Sequence, residues 1–230
     1  MQQRWFLMLA SAVLAGANPP APAVAAMVTT NEQGVDLIFA QPSFTNAPID
    51  VRFETTRTHV DPTLSEIDSV FEWVQLFSVV PVPSSTIRLY FVDEVNWCGG
   101  PITGAAGCST QPGNVVAINS FIASGPFGAE LNAHELGHAL GLGHTDVPGL
   151  MQPILNGNTT LSLAEVATIR SSPFVQLDPL LDQSFITVQP ILIRATAIPE
   201  PASFGLLVLG VAGLRLGRQF KSRGKSCSVA

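Results

Sequence analysis

Residues 134–144 read His134-Glu135-Leu136-Gly137-His138-Ala139-Leu140-Gly141-Leu142-Gly143-His144. On a helix, His134 and His138 project their imidazoles from one face, one turn apart. Two nitrogen donors so spaced suit a single metal ion. Gly141 can take a positive φ at no steric cost and so end the helix. The chain is then free to turn and bring His144 toward the same point. Three protein donors leave a fourth tetrahedral position for water, which is the arrangement of a catalytic zinc ion. Glu135 is not needed as a ligand. Beside His134 it is placed to take a proton from that water, whose pKa zinc lowers toward about 7, and to pass it to a leaving amine. A lone histidine is ordinarily a core or surface residue. Three of the chain's four histidines in this register do not fit that reading.

The stretch resembles the metzincin metallopeptidases. With Gly149-Leu150-Met151-Gln152-Pro153 following closely, residues 134–153 look most like the matrixin branch. The resemblance makes His134, His138 and His144 ligands of one catalytic Zn2+, Glu135 the general base, and Met151 the Met-turn residue. Met151 is then a soft apolar floor beneath the metal and not a ligand. The implied activity is that of a secreted zinc metalloendopeptidase acting on extracellular proteins or peptides. The implied fold is α/β, of the α+β zincin type. It would be a single domain with a small twisted mixed sheet, an active-site helix, a Met-turn and a final helix. Substrate would lie extended along the sheet's edge strand, by β-augmentation. Residues 114–121, just before the active-site helix, are the candidate edge.

Some features depart from the matrixin pattern. No cysteine-switch segment is seen before the domain. Only His59 lies outside the motif, so a histidine-rich second zinc site is not expected. Gln152 follows the methionine where several metzincin branches have tyrosine, and Tyr90, the one tyrosine, reads as core. Asp93, Glu94 and Asp146 are candidate oxygen donors for Ca2+, although scattered carboxylates are more often solvated surface.

Working outward from the motif, residues 35–40 read as a short strand, and 49–55 alternate with the period of a strand. Asp61-Pro62-Thr63 reads as a helix start, with Leu64, Ile67, Val70, Phe71, Val74 and Phe77 at helical spacing and Pro81 and Pro83 closing it. Residues 86–92 and 114–121 read as strands. Residues 128–140 form the motif helix. Ser162-Leu163-Ala164-Glu165 is a capping box opening a last helix that ends near Pro173. This order implies an α/β domain spanning residues 27–175. Residues 176–198 read as a linker or a terminal strand.

The ends differ from the body. Arg4, an apolar run over 5–16 and Ala23-Val24-Ala25 have the pattern of a secretory signal peptide over residues 1–26. Pro199-Glu200-Pro201, an apolar run over 204–214 and the basic residues Arg215, Arg218, Lys221, Arg223 and Lys225 resemble a PEP-CTERM sorting signal over residues 199–230. That resemblance implies an exosortase-type processing enzyme as partner, transient membrane contact through the tail, and a place outside a Gram-negative-type cell or on its surface. Between the ends, residues 27–198 hold 16 acidic residues against 5 arginines and no lysine, a net charge of −11. Such a body is not a nucleic-acid binder. It is expected to act as a monomer. Of three cysteines, Cys98 and Cys108 share a glycine-rich loop, and a bridge between them is favoured over two free thiols in an exported protein. The alternative function is a non-enzymatic surface or matrix protein with a metal-stabilised domain. Glu135 argues against it, because a structural zinc site has no use for an adjacent base.

Overall fold

The computed structural model describes residues 27–45 and 47–195. The signal-peptide and sorting-tail assignments fall outside those residues. The chain opens with helix α1 (Glu32–Phe39), which buries Val35, Ile38 and Phe39 and leaves Leu37 68% exposed. This corrects the strand expected over 35–40. The buried residues are spaced i, i+3, i+4, which is one face of a helix, and Leu37 between them breaks any period of two. Asp36 on α1 accepts the Val51 N–H at 3.0 Å and so ties the helix to strand β1 (Ile49–Phe53).

Strand β2 (Arg57–Val60) follows. The helix expected from Asp61 onward is divided. Asp61 caps only a 3-10 turn, Pro62–Leu64, by accepting the Thr63 N–H. A two-residue strand, β3 (Glu66–Ile67), comes next. Ser69 and Glu72 then form a reciprocal capping box that starts α2 (Val70–Val79). The expected apolar stripe is also corrected. Trp73 and Leu76 are the buried face of α2, while Phe71 is 79% and Val74 58% exposed. A run apolar nearly all round does not tell from spacing alone which side faces the core.

Strand β4 (Thr86–Val92) is buried at every position. After it come β5 (Glu94–Trp97), β6 (Pro101–Ala105), β7 (Gly107–Ser109) and β8 (Val115–Asn119). Asn119 caps the short helix α3 (Ser120–Ala123), and the motif helix α4 (Gly128–Ala139) follows. Helix α5 (Leu163–Arg170) begins at the Ser162/Glu165 capping box. Strands β9 (Gln176–Asp178) and β10 (Gln183–Arg194) complete the described chain.

The main sheet runs β1-β10-β4-β8-β7, with β2 and β9 also paired to β10. The strands β1, β10, β4 and β8 are mutually parallel, and β7 runs antiparallel at the edge. Of the two readings for residues 176–198, linker or terminal strand, the described residues show strand, over Gln176–Asp178 and Gln183–Arg194, and β10 lies inside the sheet. Its residues 188–193 are all buried, as expected of a parallel strand covered on both faces. Pro190 offers the ladder no N–H. It is accommodated because β1 leaves β10 at Val188 and β2 joins only at Ile191. In that gap the Gln189 amide donates to the Thr55 carbonyl at 2.8 Å.

The strand expected over 114–121 is not the edge. Strand β8 is paired on both sides, to β4 and to β7, and β7 is the edge strand. One face of the sheet packs on α1, α4 and α5, the other on α2 and the small sheet β3-β5-β6. Cys98 and Cys108 are joined, with Cα atoms 5.6 Å apart, and Cys108 lies in β7. The link closes a loop with a sequence separation of 10. Replacing both cysteines by serine is expected to lower stability by about 2.5 kcal/mol through the freed loop, measured as the shift in urea midpoint. No shift would mean that the loop is ordered without the bond.

Candidate metal centre and active site

Helix α4 lies almost wholly inside the protein. Residues 130–139 are all buried. Its C-terminus is closed by Gly141 at φ 108°, with the Leu142 N–H donating to the Gly137 carbonyl and the Gly141 N–H to the His138 carbonyl. This paired pattern is the Schellman motif. It reverses the chain so that His144 returns over the face carrying His134 and His138.

The three Nε2 atoms converge. His134 and His138 are 3.1 Å apart, His134 and His144 3.3 Å, and His138 and His144 3.1 Å. The Nδ1 atom of His134 lies 2.7 Å from the Leu150 carbonyl, and that of His138 lies 2.7 Å from the Leu142 carbonyl. A carbonyl only accepts, so each Nδ1 must carry the proton and each Nε2 must present a lone pair. Burial lowers the pKa of His134, and pushes that of His138 down to about 4, so both rings are neutral near pH 7. Lone pairs facing one another at these distances repel unless a cation lies between them. Tetrahedral zinc with Zn–N of about 2.0–2.1 Å would hold nitrogens roughly 3.3 Å apart. The residues present fit a zinc ion.

Glu135 is 5% exposed, and burial pushes its carboxyl up to about 8. Its Oε2 is buried and has no hydrogen-bond partner among the described residues. A cation held by the three histidines would favour the carboxylate form by its charge. On the other flank the side chain stands against Gly107 of the edge strand, where an added Cβ would fall 2.7 Å from Cγ, Cδ and Oε1 of Glu135.

Met151 is fully buried below the motif helix, and its Sδ stands 2.7 Å from where a Cβ on Gly137 would be. The Thr145 N–H donates to the Met151 carbonyl at 3.0 Å, and Leu150 supplies the carbonyl that orients His134. The turn therefore supports both the helix and the segment carrying His144.

Other candidates do not join the site. Among the described residues the three histidines are the one group of His, Cys, Asp or Glu drawn together closely enough to hold an ion; Asp93, Glu94, Asp146 and His59 form no such group. Tyr90 is a core residue whose hydroxyl donates to the Leu76 carbonyl at 2.6 Å. Gln152 accepts from the Asn156 amide. Two neighbours of the site carry little signal in the sequence. Gly107 belongs to a three-residue strand with no alternation to mark it. Glu130 is buried and accepts the N–H groups of Asn156 and Gly157 at 2.9 and 2.8 Å. It pins the loop after the Met-turn to the first turn of α4, and its only mark in the sequence is a carboxylate one turn before His134.

The profile of the matrixin family matches residues 20–171, more than half of the 230. The chain belongs to the matrixin family. The matrixins are zinc metallopeptidases, and the mixed α/β domain with its twisted sheet and histidine triad agrees with their fold. Neither the curated proteins nor the solved structures contain a match to this matrixin. The matched region ends before β9 and β10, so one interior strand of the sheet, β10, lies beyond it.

Proposed function

We propose that this matrixin is an exported metalloendopeptidase in which Glu135 is the general base. The observation that carries this reading is the buried Glu135, its Oε2 without a hydrogen-bond partner among the described residues, next in sequence to the first of three converging imidazoles. Zinc bound there supplies a Lewis acid that polarises a peptide carbonyl and acidifies a water. His134, His138 and His144 would hold it, and the Leu150 and Leu142 carbonyls fix two of the rings. Such second partners orient a ligand and raise its basicity. Glu135 takes the proton of the attacking water and gives it to the nitrogen of the departing amine. An extended peptide adds to β7, on whose outer side no strand pairs among the described residues.

A metal-stabilised structural domain is the weaker reading. A closed zinc site takes four protein ligands, and three converge here among the described residues. Export is supported by the signal-like N-terminus and by the disulfide, which belongs to an oxidising compartment. Residues 199–230 are then a sorting tail, handled by an exosortase-type enzyme.

The test is cleavage of a peptide library by the full body, residues 27–195. Internal peptide bonds should be cut, activity should vanish with a zinc chelator, and added zinc should restore it. Undiminished cleavage by protein shown to hold no metal would overturn the assignment.

A further inference from the structure

We propose that Gly107 is a positioning residue for Glu135. Its missing side chain opens the space in which the carboxylate stands, on the residue that follows His134. The inference rests on the metallopeptidase reading above and adds a residue to it.

Glycine is not required at 107 by the backbone. Its φ lies outside the left-handed region, and it pairs in register with Ile118 like any strand residue. In such a place glycine weakens the strand, so something else must favour it. That something is the neighbour, since a Cβ would overlap three atoms of Glu135, each at 2.7 Å.

The strand cannot yield to relieve the overlap. On one side of Gly107, the Ala106 carbonyl accepts the Asn119 N–H at 2.8 Å. On the other, Cys108 is buried and linked to Cys98. The movable partner is Glu135. Its carboxyl end is flexible, and no hydrogen bond restrains Oε2 among the described residues. A methyl group at 107 therefore displaces the carboxylate and leaves the strand and the three histidines in place. Misplacing a reacting group by about 1 Å costs on the order of 100-fold in rate.

The experiment compares four zinc-loaded proteins: wild type, Gly107→Ala, Glu135→Ala and the double variant. Steady-state cleavage, zinc per chain and Tm are measured for each. Gly107→Ala alone should lower kcat about 100-fold while KM stays within about twofold. Zinc content should equal that of wild type, and Tm should fall by about 3 °C. In the Glu135→Ala background the space is vacated. There the same substitution should raise Tm by about 2 °C, because alanine restricts the unfolded chain more than glycine does, and should leave the residual rate unchanged. A reversal of sign between backgrounds is the signature of direct coupling. If the single variant failed to fold while the double variant folded, the contact would be the cause, and the inference would stand. Equal Tm shifts in both backgrounds, or wild-type kcat in Gly107→Ala, would overturn it. A wild type that cleaves nothing would instead overturn the peptidase reading, and the sign of the Tm shift would then decide the contact alone.

Discussion

A chain spanning residues 27–175 is expected to yield no folded protein, although it holds all but the first seven residues of the 20–171 region that the matrixin profile matches. The cut removes β10, an interior strand of the main sheet. Without it β1 and β2 lose the strand they pair with, and β4 loses one of its two neighbours. The exposed ladder would leave buried backbone groups without partners, each a substantial cost. The packing loss is also large. Ile186, Val188, Ile191, Leu192 and Ile193 are at most 6% exposed. At about 1.5–3 kcal/mol for each buried aliphatic side chain, their removal forfeits on the order of 10 kcal/mol. That equals the whole stability of a typical domain, about 5–15 kcal/mol. Circular dichroism and urea titration of the 27–175 and 27–195 proteins make the comparison. A cooperative transition and bound zinc in the shorter one would show that β10 is dispensable.

Replacing Glu135 by glutamine is expected to lower kcat by about 10²–10⁴-fold, the usual worth of a general acid–base, with zinc content unchanged. The metal should stay because its three nitrogens come from His134, His138 and His144 and none from Glu135. Glutamine keeps the shape that packs against Gly107 but has no lone pair basic enough to take a proton. It also carries no charge to bury at a position 5% exposed, so the fold should not weaken. Zinc per chain, Tm and kcat measured together separate loss of the base from loss of the site. Cleavage within threefold of wild type would remove Glu135 from the reaction. Loss of zinc together with activity would make it a ligand instead.

The candidate metal site is legible in the sequence because its parts are local. His134, Glu135, His138, Gly141 and His144 share one helix and its turn, where spacing in the sequence is spacing in the fold, and Met151 follows within a few residues. The capping box at Ser162 was readable for the same reason. What escaped was set by distant partners. Nothing near 183–194 says that this segment inserts between β1 and β4. Strand β7 is three residues long and carries a glycine, so β8 looked like the edge in its place. Helix α1 and strand share short apolar runs, and only the burial of Val35, Ile38 and Phe39 against the exposure of Leu37 separates them. On α2 the two candidate faces were nearly equal in apolar content, and packing against β4 and β10 chose the one with Trp73 and Leu76.

The interior position of β10 also fixes when the enzyme is completed during its own synthesis. Ile49 pairs with Ser184, and Thr86 with Thr187. Contacts between residues so far apart close slowly, because the intervening chain must first give up its freedom. The histidine motif leaves the ribosome well before residues 183–194, yet the sheet that supports it cannot close until they arrive. A nascent chain thus carries His134, Glu135, His138 and His144 before the sheet behind them is complete. Among the described residues the strand made last is the one that joins β1 and β2 to β4, so a chain still being synthesised carries the motif on a divided sheet.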